Sequence, residues 1–365
     1  MAEPSDPSLH RVVIDDLRRT GFGRGGLRDL RDLYAFYLDD ERREKLAQMG
    51  RLRRAVLLLG WILKSLLMKL SPGRRLLLIV SLICAVIGWT RFGTPIATFQ
   101  LDLRFWGFPL LLIVLMLELR DKLLARDEIA VARQVQLALL PRSHPAVPGW
   151  RLWSHSRPAN DVGGDLVDYI ALDGFRHAVV LGDVAGKGLG AALLTAKLQA
   201  TLRALVSTAA SLDDLGAQVN RIFHDAGLEN RYATLFFAEL QHDSGHLRYL
   251  NAGHNPPFVV RRGGLEKLPA SSFPLGMLDS PTYTEGALQL EPGEMILAYS
   301  DGLTEASNEQ GEEFGLARLE ALVPQLRDLP PDRVGSRLLE EVDRFVGACR
   351  PGDDLSLAVI VRDAA

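Results

Sequence analysis

The sequence predicts an α/β domain with antiparallel sheets, preceded by a helical and partly apolar N-terminal region. From about residue 149 onward, short β-type segments such as HAVVLGDV and EMILAYSDG alternate with turn residues. The segment FAELQHDSGHLRYL has two strand-like runs joined by a short polar turn, which is typical of an antiparallel hairpin. The apolar excess lies instead in two uncharged runs before residue 118. The chain is therefore expected to contain two structurally different parts.

Composition sets the outer limits of this interpretation. The chain has 365 residues, of which 47% are hydrophobic and 24% are charged, so it can form about two folded domains. A formal charge of -3 gives no global basic field for nucleic acid, and no nucleic-acid partner is expected. Two cysteines are too few for a disulfide scaffold or a cysteine-rich zinc site.

Residues 1–75 are predicted to be helical and to lie on the cytoplasmic side of a membrane. The stretch 28–49 is charged with an apolar minority, as in an amphipathic helix. The stretch 55–70 is apolar but is interrupted by Lys64 and Lys69, which suits a helix at a membrane surface. Packing against another subunit explains this stretch equally well.

The two apolar runs predict a transmembrane hairpin over 76–117. They read LLLIVSLICAVIGW and FWGFPLLLIVLML, and neither has the polar face of a soluble core helix. Arginines are concentrated before the first run and after the second, which places both ends in the cytoplasm. Each run is shorter than the ~20 residues that cross a bilayer, so a buried or interfacial helical pair is the alternative.

Residues 118–141 are predicted to form a linker helix that Pro141 ends. Leu123, Ala130 and Leu137 recur every seven residues, but Arg126 and Arg133 interrupt the pattern. The helix is thus a candidate dimerisation or signalling element with a weak coiled-coil pattern.

The folded domain is expected over 145–363, and its acidic residues carry the chemistry. Five aspartates stand at strand ends beside glycines, in VGGDLVD, LGDVAGKG, AYSDGL and GDDLSLAV: Asp165, Asp183, Asp301, Asp353 and Asp354. A single aspartate beside a glycine is ordinary turn chemistry. Four such sets at strand edges instead predict carboxylates that converge on Mg²⁺ or Mn²⁺. Two such ions held together can activate a water and neutralise a phosphoryl group.

Other polar residues near these motifs have two readings each. Arg157 is a candidate contact for substrate phosphate or an ordinary surface arginine. Lys187 is more typical of a solvated loop residue than of a phosphate ligand, because GDVAGKG lacks the spacing of a nucleotide-binding P-loop. His254 is more typical of a structural histidine in a turn than of a catalytic acid or base.

The ordered set of motifs resembles the PPM (PP2C-like) protein serine/threonine phosphatases, in the bacterial SpoIIE/RsbU branch. The matching pieces are ARQVQLALLP, RPANDVGGDLVDY, LGDVAGKGLGAAL, ATLFFAEL, LNAGHNPPFVV, LGM, LAYSDGLTEA and GDDLSLAVI, and they extend over about 128–362. The resemblance implies an α-β-β-α sandwich of two antiparallel sheets. It also implies attack by a metal-bound water, with no protein nucleophile.

The resemblance assigns roles to the acids by motif. Asp183 is implied to bridge two Mn²⁺ or Mg²⁺ ions, with Asp165 and the backbone carbonyl of Val184 on one of them. Asp301 and Asp353 are implied to bind the other ion. Asp354 is the alternative ligand or supports the ligands by hydrogen bonds, because neighbouring side chains in an extended strand point to opposite sides.

The family further implies a role in bacterial signalling. The expected reaction is hydrolysis of phosphoserine or phosphothreonine on a partner protein, for which an anti-sigma-factor antagonist of the STAS type is suspected. The expected location is the bacterial inner membrane, with the catalytic domain in the cytoplasm. An inactive signalling scaffold with the same fold and a phosphohydrolase of small molecules are the alternatives.

Overall fold

The computed structural model describes residues 67–87, 89–94, 97–225 and 231–363, together with positions 57, 60, 61 and 64. The amphipathic helix predicted over 28–49 lies outside these residues, as does part of the stretch 55–70. The chain divides into two compact units that meet in sequence between Leu123 and Leu124.

The first unit contains a helical hairpin. Its elements are α1 (Pro72–Ile87), β1 (Trp89–Thr94), β2 (Ala97–Asp102) and the first part of α2 (Arg104–Leu139). The two strands pair antiparallel and join the helices, where the sequence analysis expected only a short connection. In the described part of the chain, no helix combines the length and the apolar character needed to cross a bilayer.

Helix α2 is one continuous element of 36 residues that includes the predicted linker. Its single proline, Pro109, lies in the second turn, and no glycine or proline follows it before the helix ends. Without proline or glycine, every residue of this segment can donate its backbone hydrogen bond and favours the helix, so the helix continues without a break. The apolar run and the linker, which the sequence analysis treated separately, are therefore two parts of one helix.

The second unit is a sandwich of two five-stranded antiparallel sheets. Its strands are β3 (Trp150–Arg157), β4 (Asp165–Ala171), β5 (Arg176–Val184), β6 (Ala233–Gln241), β7 (His246–Ala252), β8 (Phe258–Arg261), β9 (Gly264–Lys267), β10 (Gly286–Gln289), β11 (Met295–Tyr299) and β12 (Leu355–Arg362). The strand order is β10-β7-β6-β5-β4 in one sheet and β3-β12-β11-β8-β9 in the other.

Helices cover both outer faces of the sandwich. They are α3 (Leu189–Leu205), α4 (Leu212–His224), α5 (Asp301–Thr304), α6 (Gly315–Leu322), a 3₁₀ turn (Val323–Leu326) and α7 (Pro331–Val346). Helices α3 and α4 pack on the first sheet, and α6 and α7 pack on the second. The prediction of a PP2C-like α-β-β-α sandwich is confirmed for this unit.

The period-two pattern of the strands creates three apolar layers. In β5, Val180 faces the helices and Leu181 faces the opposite sheet, and neither is exposed to solvent. Phe236 lies in the layer between the sheets, where burial of such a side chain stabilises the fold by about 1.5–3 kcal/mol. This packing fixes the register of the strands, because a slip of one residue would turn every apolar side chain to the wrong face.

Candidate metal centre

The predicted acids meet at one edge of the sandwich. Asp165 begins β4 and lies directly opposite Asp183, near the end of β5, in the antiparallel register. Asp301 follows β11, and the pair Asp353 and Asp354 precedes β12, which is the neighbour of β11. The structure therefore brings together the strand ends that the sequence analysis singled out.

The ionised form of Asp183 is disfavoured by burial and by its acidic neighbours. Burial raises its pKa to about 7, and the charges of Asp301, Asp353 and Asp354 add to this effect. Several carboxylates thus lie close enough to Asp183 to affect its ionisation. Asp183 is the residue to which the family resemblance gives the bridging position.

Asp165 is almost completely buried beside Asp183. Burial and the charge of Asp183 hold its pKa well above the ordinary value. The hydroxyl of Ser300 donates a hydrogen bond to Oδ2 of Asp165 at 2.9 Å and partly offsets this cost. Ser300 is itself fully buried and also accepts a hydrogen bond from the backbone N–H of Ser356.

Asp354 holds the loop that precedes β4. One of its oxygens accepts a hydrogen bond from the backbone N–H of Ala159 at 2.7 Å, and the other accepts one from that of Gly164. Because both oxygens already receive backbone donors, Asp354 is suited to supporting the ligands. Its neighbour Asp353 points elsewhere, as expected for adjacent residues of an extended segment.

Asp353 forms an ion pair with Lys187. The Nζ of Lys187 lies 2.9 Å from Oδ2 of Asp353 and donates to the carbonyl of Gly352 at 2.7 Å. The side chain of Lys187 is more than half exposed, as expected of a solvated loop residue, and its ammonium group also contacts one of the acids. The hydrogen bond to Asp353 raises the pKa of Lys187, so it remains a cation here.

Two glycines permit the close packing of these loops. A Cβ atom on Gly164 would lie 2.7 Å from the carbonyl oxygen of Val184 and 3.3 Å from Oδ1 of Asp183. A Cβ atom on Gly302 would lie 2.0 Å from the carbonyl oxygen of Asp354. Any larger residue at either position would push the strand ends apart. The Val184 carbonyl, a predicted ligand, thus lies beside the carboxylate of Asp183.

The acids fit a divalent cation by chemistry. Within the described ranges, no group of three His, Cys, Asp or Glu side chains is already positioned to enclose an ion. Asp165, Asp183 and Asp301 nevertheless have their pKa raised by burial and then by another carboxylate of the set. A cation held by hard oxygen donors, such as Mg²⁺ or Mn²⁺, would relieve this repulsion. Asp353 would have to turn from Lys187 to join it.

Arg157, the predicted phosphate contact, lies near the acids but is held by another residue. Its two terminal nitrogens donate to the carboxylate of Asp343 in α7, at 2.7 and 3.2 Å. It borders a pocket that Asp353 also lines.

Sequence reasoning missed three residues of this region. Ser300 is buried beneath Asp165, and Glu305 lies close enough to raise the pKa of Asp183. The side chain of Gln136, in α2, donates to the carbonyl of Gly163 at 2.6 Å and accepts from its N–H at 3.0 Å. The motif AYSDGLTEA contains Ser300 and Glu305 and would have allowed them to be found. Gln136 belongs to the motif ARQVQLALLP, but nothing in that motif distinguishes it from its neighbours.

His254 has a structural position, as the sequence analysis favoured. It is buried, its Nδ1 lies 2.8 Å from the hydroxyl of Thr234, and burial lowers its pKa to about 4. Asn251 accepts a hydrogen bond from the backbone N–H of His254 and closes the turn.

A sandwich of two antiparallel sheets with acids at one edge is the fold of the PP2C-type phosphatases, and this unit belongs to that fold class. The chain belongs to the SpoIIE family within this class, since the family model described as Stage II sporulation protein E (SpoIIE) matches residues 173–363. The resemblance stated from the motifs is thereby confirmed.

Individual relatives agree with the family assignment. The chain is 32% identical to Protein IcfG of Synechocystis sp. over 222 residues, which cover 53% of this chain and 35% of that protein. It is 28% identical to the phosphoserine phosphatase RsbU of Bacillus subtilis over 188 residues, which cover 51% of this chain and 56% of RsbU. The crystal structure of the RsbU and RsbW domains of Rv1364c from Mycobacterium tuberculosis is similar, with 30% identity, a TM-score of 0.53 and coverage of 60% of this chain and 62% of that one. The chain thus spans about a third to a little over half the length of the two curated relatives.

Proposed function

We propose that this protein is a metal-dependent protein serine/threonine phosphatase. The observation that carries the proposal is the cluster of buried carboxylates around Asp183, whose pKa is raised to about 7 by burial and by its acidic neighbours. Such a cluster makes the fold less stable, so a protein keeps it where its function requires it. Membership of the SpoIIE family and the relative named phosphoserine phosphatase support this activity.

The residues of the centre have three proposed roles: binding the metal ions, holding the ligands in place and contacting the substrate. Asp183, Asp165, Asp301, Asp353 and the carbonyl of Val184 would hold two Mn²⁺ or Mg²⁺ ions. Ions of this kind supply Lewis-acid activation of a water and neutralise the charge of a phosphoryl group. Ser300 and Asp354 keep the ligands and the loop before β4 in place through their hydrogen bonds. Lys187 provides a cation for the oxygens of the substrate once Asp353 no longer holds it.

The substrate that we propose is phosphoserine or phosphothreonine on a partner protein. Asp353 and Lys187 are partly exposed at this edge of the two sheets, where a protein segment has access. In the SpoIIE/RsbU branch, a STAS-type anti-sigma-factor antagonist is the partner to test first, within bacterial signalling. A small-molecule phosphate ester is the competing substrate class.

We also propose that the first unit anchors the protein in a membrane. Helices α1 and α2 cross closely at small residues: the hydroxyl of Ser81 donates to the carbonyl of Gly107 at 2.8 Å, and a Cβ on Gly107 would lie 3.2 Å from the side chain of Cys84. Small residues inside and exposed apolar residues outside, such as Ile83 and Leu112, are typical of helices packed in lipid.

The charged end of this hairpin supports the same proposal. Arg74, near the start of α1, pairs with Glu118 and Asp121, near the middle of α2, so these ion pairs lie away from β1 and β2. We therefore propose a bacterial inner-membrane location for residues 76–117, with the catalytic unit in the cytoplasm. In a flotation assay, the full-length chain should rise with liposomes into the lipid fraction. The double variant Ile83→Glu/Leu112→Glu should be lost from that fraction. Leu316→Glu, an exposed apolar residue of α6, is the matched control and should not affect flotation.

The last turns of α2 are the proposed route for a signal. Within the second unit, Gln136 holds both polar backbone groups of Gly163, and the carbonyl of Leu139 accepts a hydrogen bond from Gln199 in α3. Gly163 is two residues from Asp165, so a movement of this part of α2 would displace the acids. Dimerisation through the exposed residues of the helix is the remaining part of this proposal.

The activity is tested by phosphate release from a phosphoserine peptide by the full-length chain in detergent. We expect release in Mn²⁺ or Mg²⁺, none in EDTA, and loss of release in Asp183→Asn. Release that continues in EDTA would contradict the metal-dependent mechanism. If only small phosphate esters are cleaved, the small-molecule alternative is correct, and no release with any metal would favour the scaffold.

A further inference from the structure

A pocket of about 260 Å³ lies next to the acidic centre in the second unit. Two of its lining residues, Gly302 and Gly352, adjoin the predicted ligands Asp301 and Asp353 in sequence, and Asp353 itself lines the pocket. The hydrogen bond from Lys187 to the carbonyl of Gly352 fixes the shared wall. Pocket and centre are thus two parts of one surface.

The floor of the pocket is apolar. It is formed by Val342 and Val346 from the last turns of α7 and by Leu355 at the start of β12. Val342 and Leu355 belong to the core of the domain, so the floor is rigid. Ala306 and the half-buried thiol of Cys349 also line the pocket.

The charged groups of the wall neutralise each other. Arg157 and Asp343 form a two-point ion pair, and Asp353, the third charged residue of the lining, pairs with Lys187, so each charge of the described lining has an opposite partner. The Nε of Arg157 is buried, and among the described residues it has no hydrogen-bond acceptor. Because this atom has no exposed surface, a ligand carbonyl pairs with it only when the Arg157 side chain turns toward the pocket, and the new hydrogen bond would then satisfy the donor.

The size of the pocket also limits its occupant. Sites for whole small molecules usually have volumes of about 300–1,000 Å³, so this pocket suits a single side chain better than a metabolite. Successive residues of an extended peptide are about 3.3–3.6 Å apart. The residues that flank a phosphoserine at the acidic centre would therefore reach the pocket.

We propose that this pocket receives an uncharged apolar side chain flanking the phosphorylated residue of the substrate protein, while Nε of Arg157 donates a hydrogen bond to a backbone carbonyl of the same segment. The proposal rests on the proposed phosphatase function and adds a determinant of its substrate specificity. It also gives Arg157 a role in holding the peptide, where the sequence analysis suggested the phosphate.

The test compares phosphoserine peptides that differ only at the residues beside the phosphoserine. The full-length chain is assayed in Mn²⁺ with an all-alanine flanked peptide, with peptides that carry one leucine or one glutamate, and with p-nitrophenyl phosphate, which has no flanking residues. We expect leucine at one flanking position to raise kcat/KM about tenfold over alanine, as burial of its added methyl groups would give. Glutamate should give no gain.

Variants that fill the pocket should remove this preference. Cys349→Phe and Ala306→Leu each add bulk at a different residue of the lining, and we expect the leucine-to-alanine ratio to fall to nearly one in both. Ala348→Phe places the same bulk on the exposed neighbour of Cys349, outside the pocket lining, and should keep the ratio. Arg157→Lys should lower kcat/KM several-fold for every peptide relative to p-nitrophenyl phosphate.

The possible results separate the two proposals. Hydrolysis of p-nitrophenyl phosphate and peptides without a leucine preference would refute the pocket as a specificity site. A preference that persists in both Cys349→Phe and Ala306→Leu would refute it as well. If neither the peptides nor p-nitrophenyl phosphate are hydrolysed in Mn²⁺, the proposed function itself fails, and the pocket proposal fails with it.

Discussion

Substitution of Asp183 by asparagine should stabilise the metal-free protein while it abolishes metal binding. The pKa of Asp183 rises from 3.8 to about 7, because burial and then the charges of Asp301 and Asp353 disfavour its ionised form. A pKa difference of about 3 corresponds to about 4 kcal/mol of unfavourable free energy once the group is ionised. Partial exposure and relaxation of the neighbouring acids reduce this, so we expect a gain of about 2–4 kcal/mol.

The sign of the pH dependence follows from proton linkage. The raised pKa means that between about pH 4 and pH 7 the folded state binds a proton that the unfolded state has released. The contribution of Asp183 to stability is therefore fully present below pH 4 and is lost as the pH rises through about 7. Asp183→Asn removes this loss, so its advantage should be small at pH 4 and complete at pH 8.

The assay is thermal unfolding of the full-length chain in detergent with EDTA, at pH 4 and pH 8. For a domain of this size, about 2–4 kcal/mol corresponds to a rise in Tm of about 4–16 °C at pH 8. Asp328→Asn, at a largely exposed position, is the control and should change Tm little. An Asp183→Asn protein that is no more stable than wild type at pH 8, or equally stabilised at both pH values, would refute the reasoning.

Three further predictions concern the residues around the acids. Lys187→Met should tighten Mn²⁺ binding severalfold in a calorimetric titration, because it removes the cation that lies 2.9 Å from Asp353; weaker binding would contradict this. Ser300→Ala should lower the free energy of unfolding by about 1 kcal/mol and reduce turnover, since a buried hydrogen bond to Asp165 is lost; an unchanged urea midpoint would be inconsistent with this. Gln136→Ala should lower kcat more than it lowers Tm, because both hydrogen bonds to Gly163 disappear while the core is untouched; an unaffected kcat would remove this residue from the proposed signalling route.

Much of the catalytic unit was predictable because its information is local. Alternating apolar residues in segments such as HAVVLGDV give the strands, and Ser211 caps α4 by accepting a hydrogen bond from the N–H of Asp214. Aspartates next to glycines at the ends of these strands predicted which residues meet. Their convergence follows from antiparallel pairing, as in the pair Asp165 and Asp183.

What the sequence did not predict depends on contacts between distant residues. Lys187 meets Gly352 across 165 residues, and Arg157 meets Asp343 across 186 residues, and neither pair leaves a local pattern. The hairpin of β1 and β2 was missed for another reason. Its segments WTRFGT and ATFQLD are short and follow an apolar helix, so they were expected to form only the connection of a membrane hairpin.

The central claim is that the acids around Asp183 bind divalent metal ions, and a Mn²⁺ titration followed by electron paramagnetic resonance tests it most directly. The full-length protein is titrated at pH 8, and free Mn²⁺ is measured from its six-line signal. We predict about two bound ions per chain in the wild type, loss of this binding in Asp183→Asn, and retention in Arg157→Lys. A wild-type protein that leaves all Mn²⁺ free, or an Asp183→Asn protein that binds as much as wild type, would contradict the assignment of this centre.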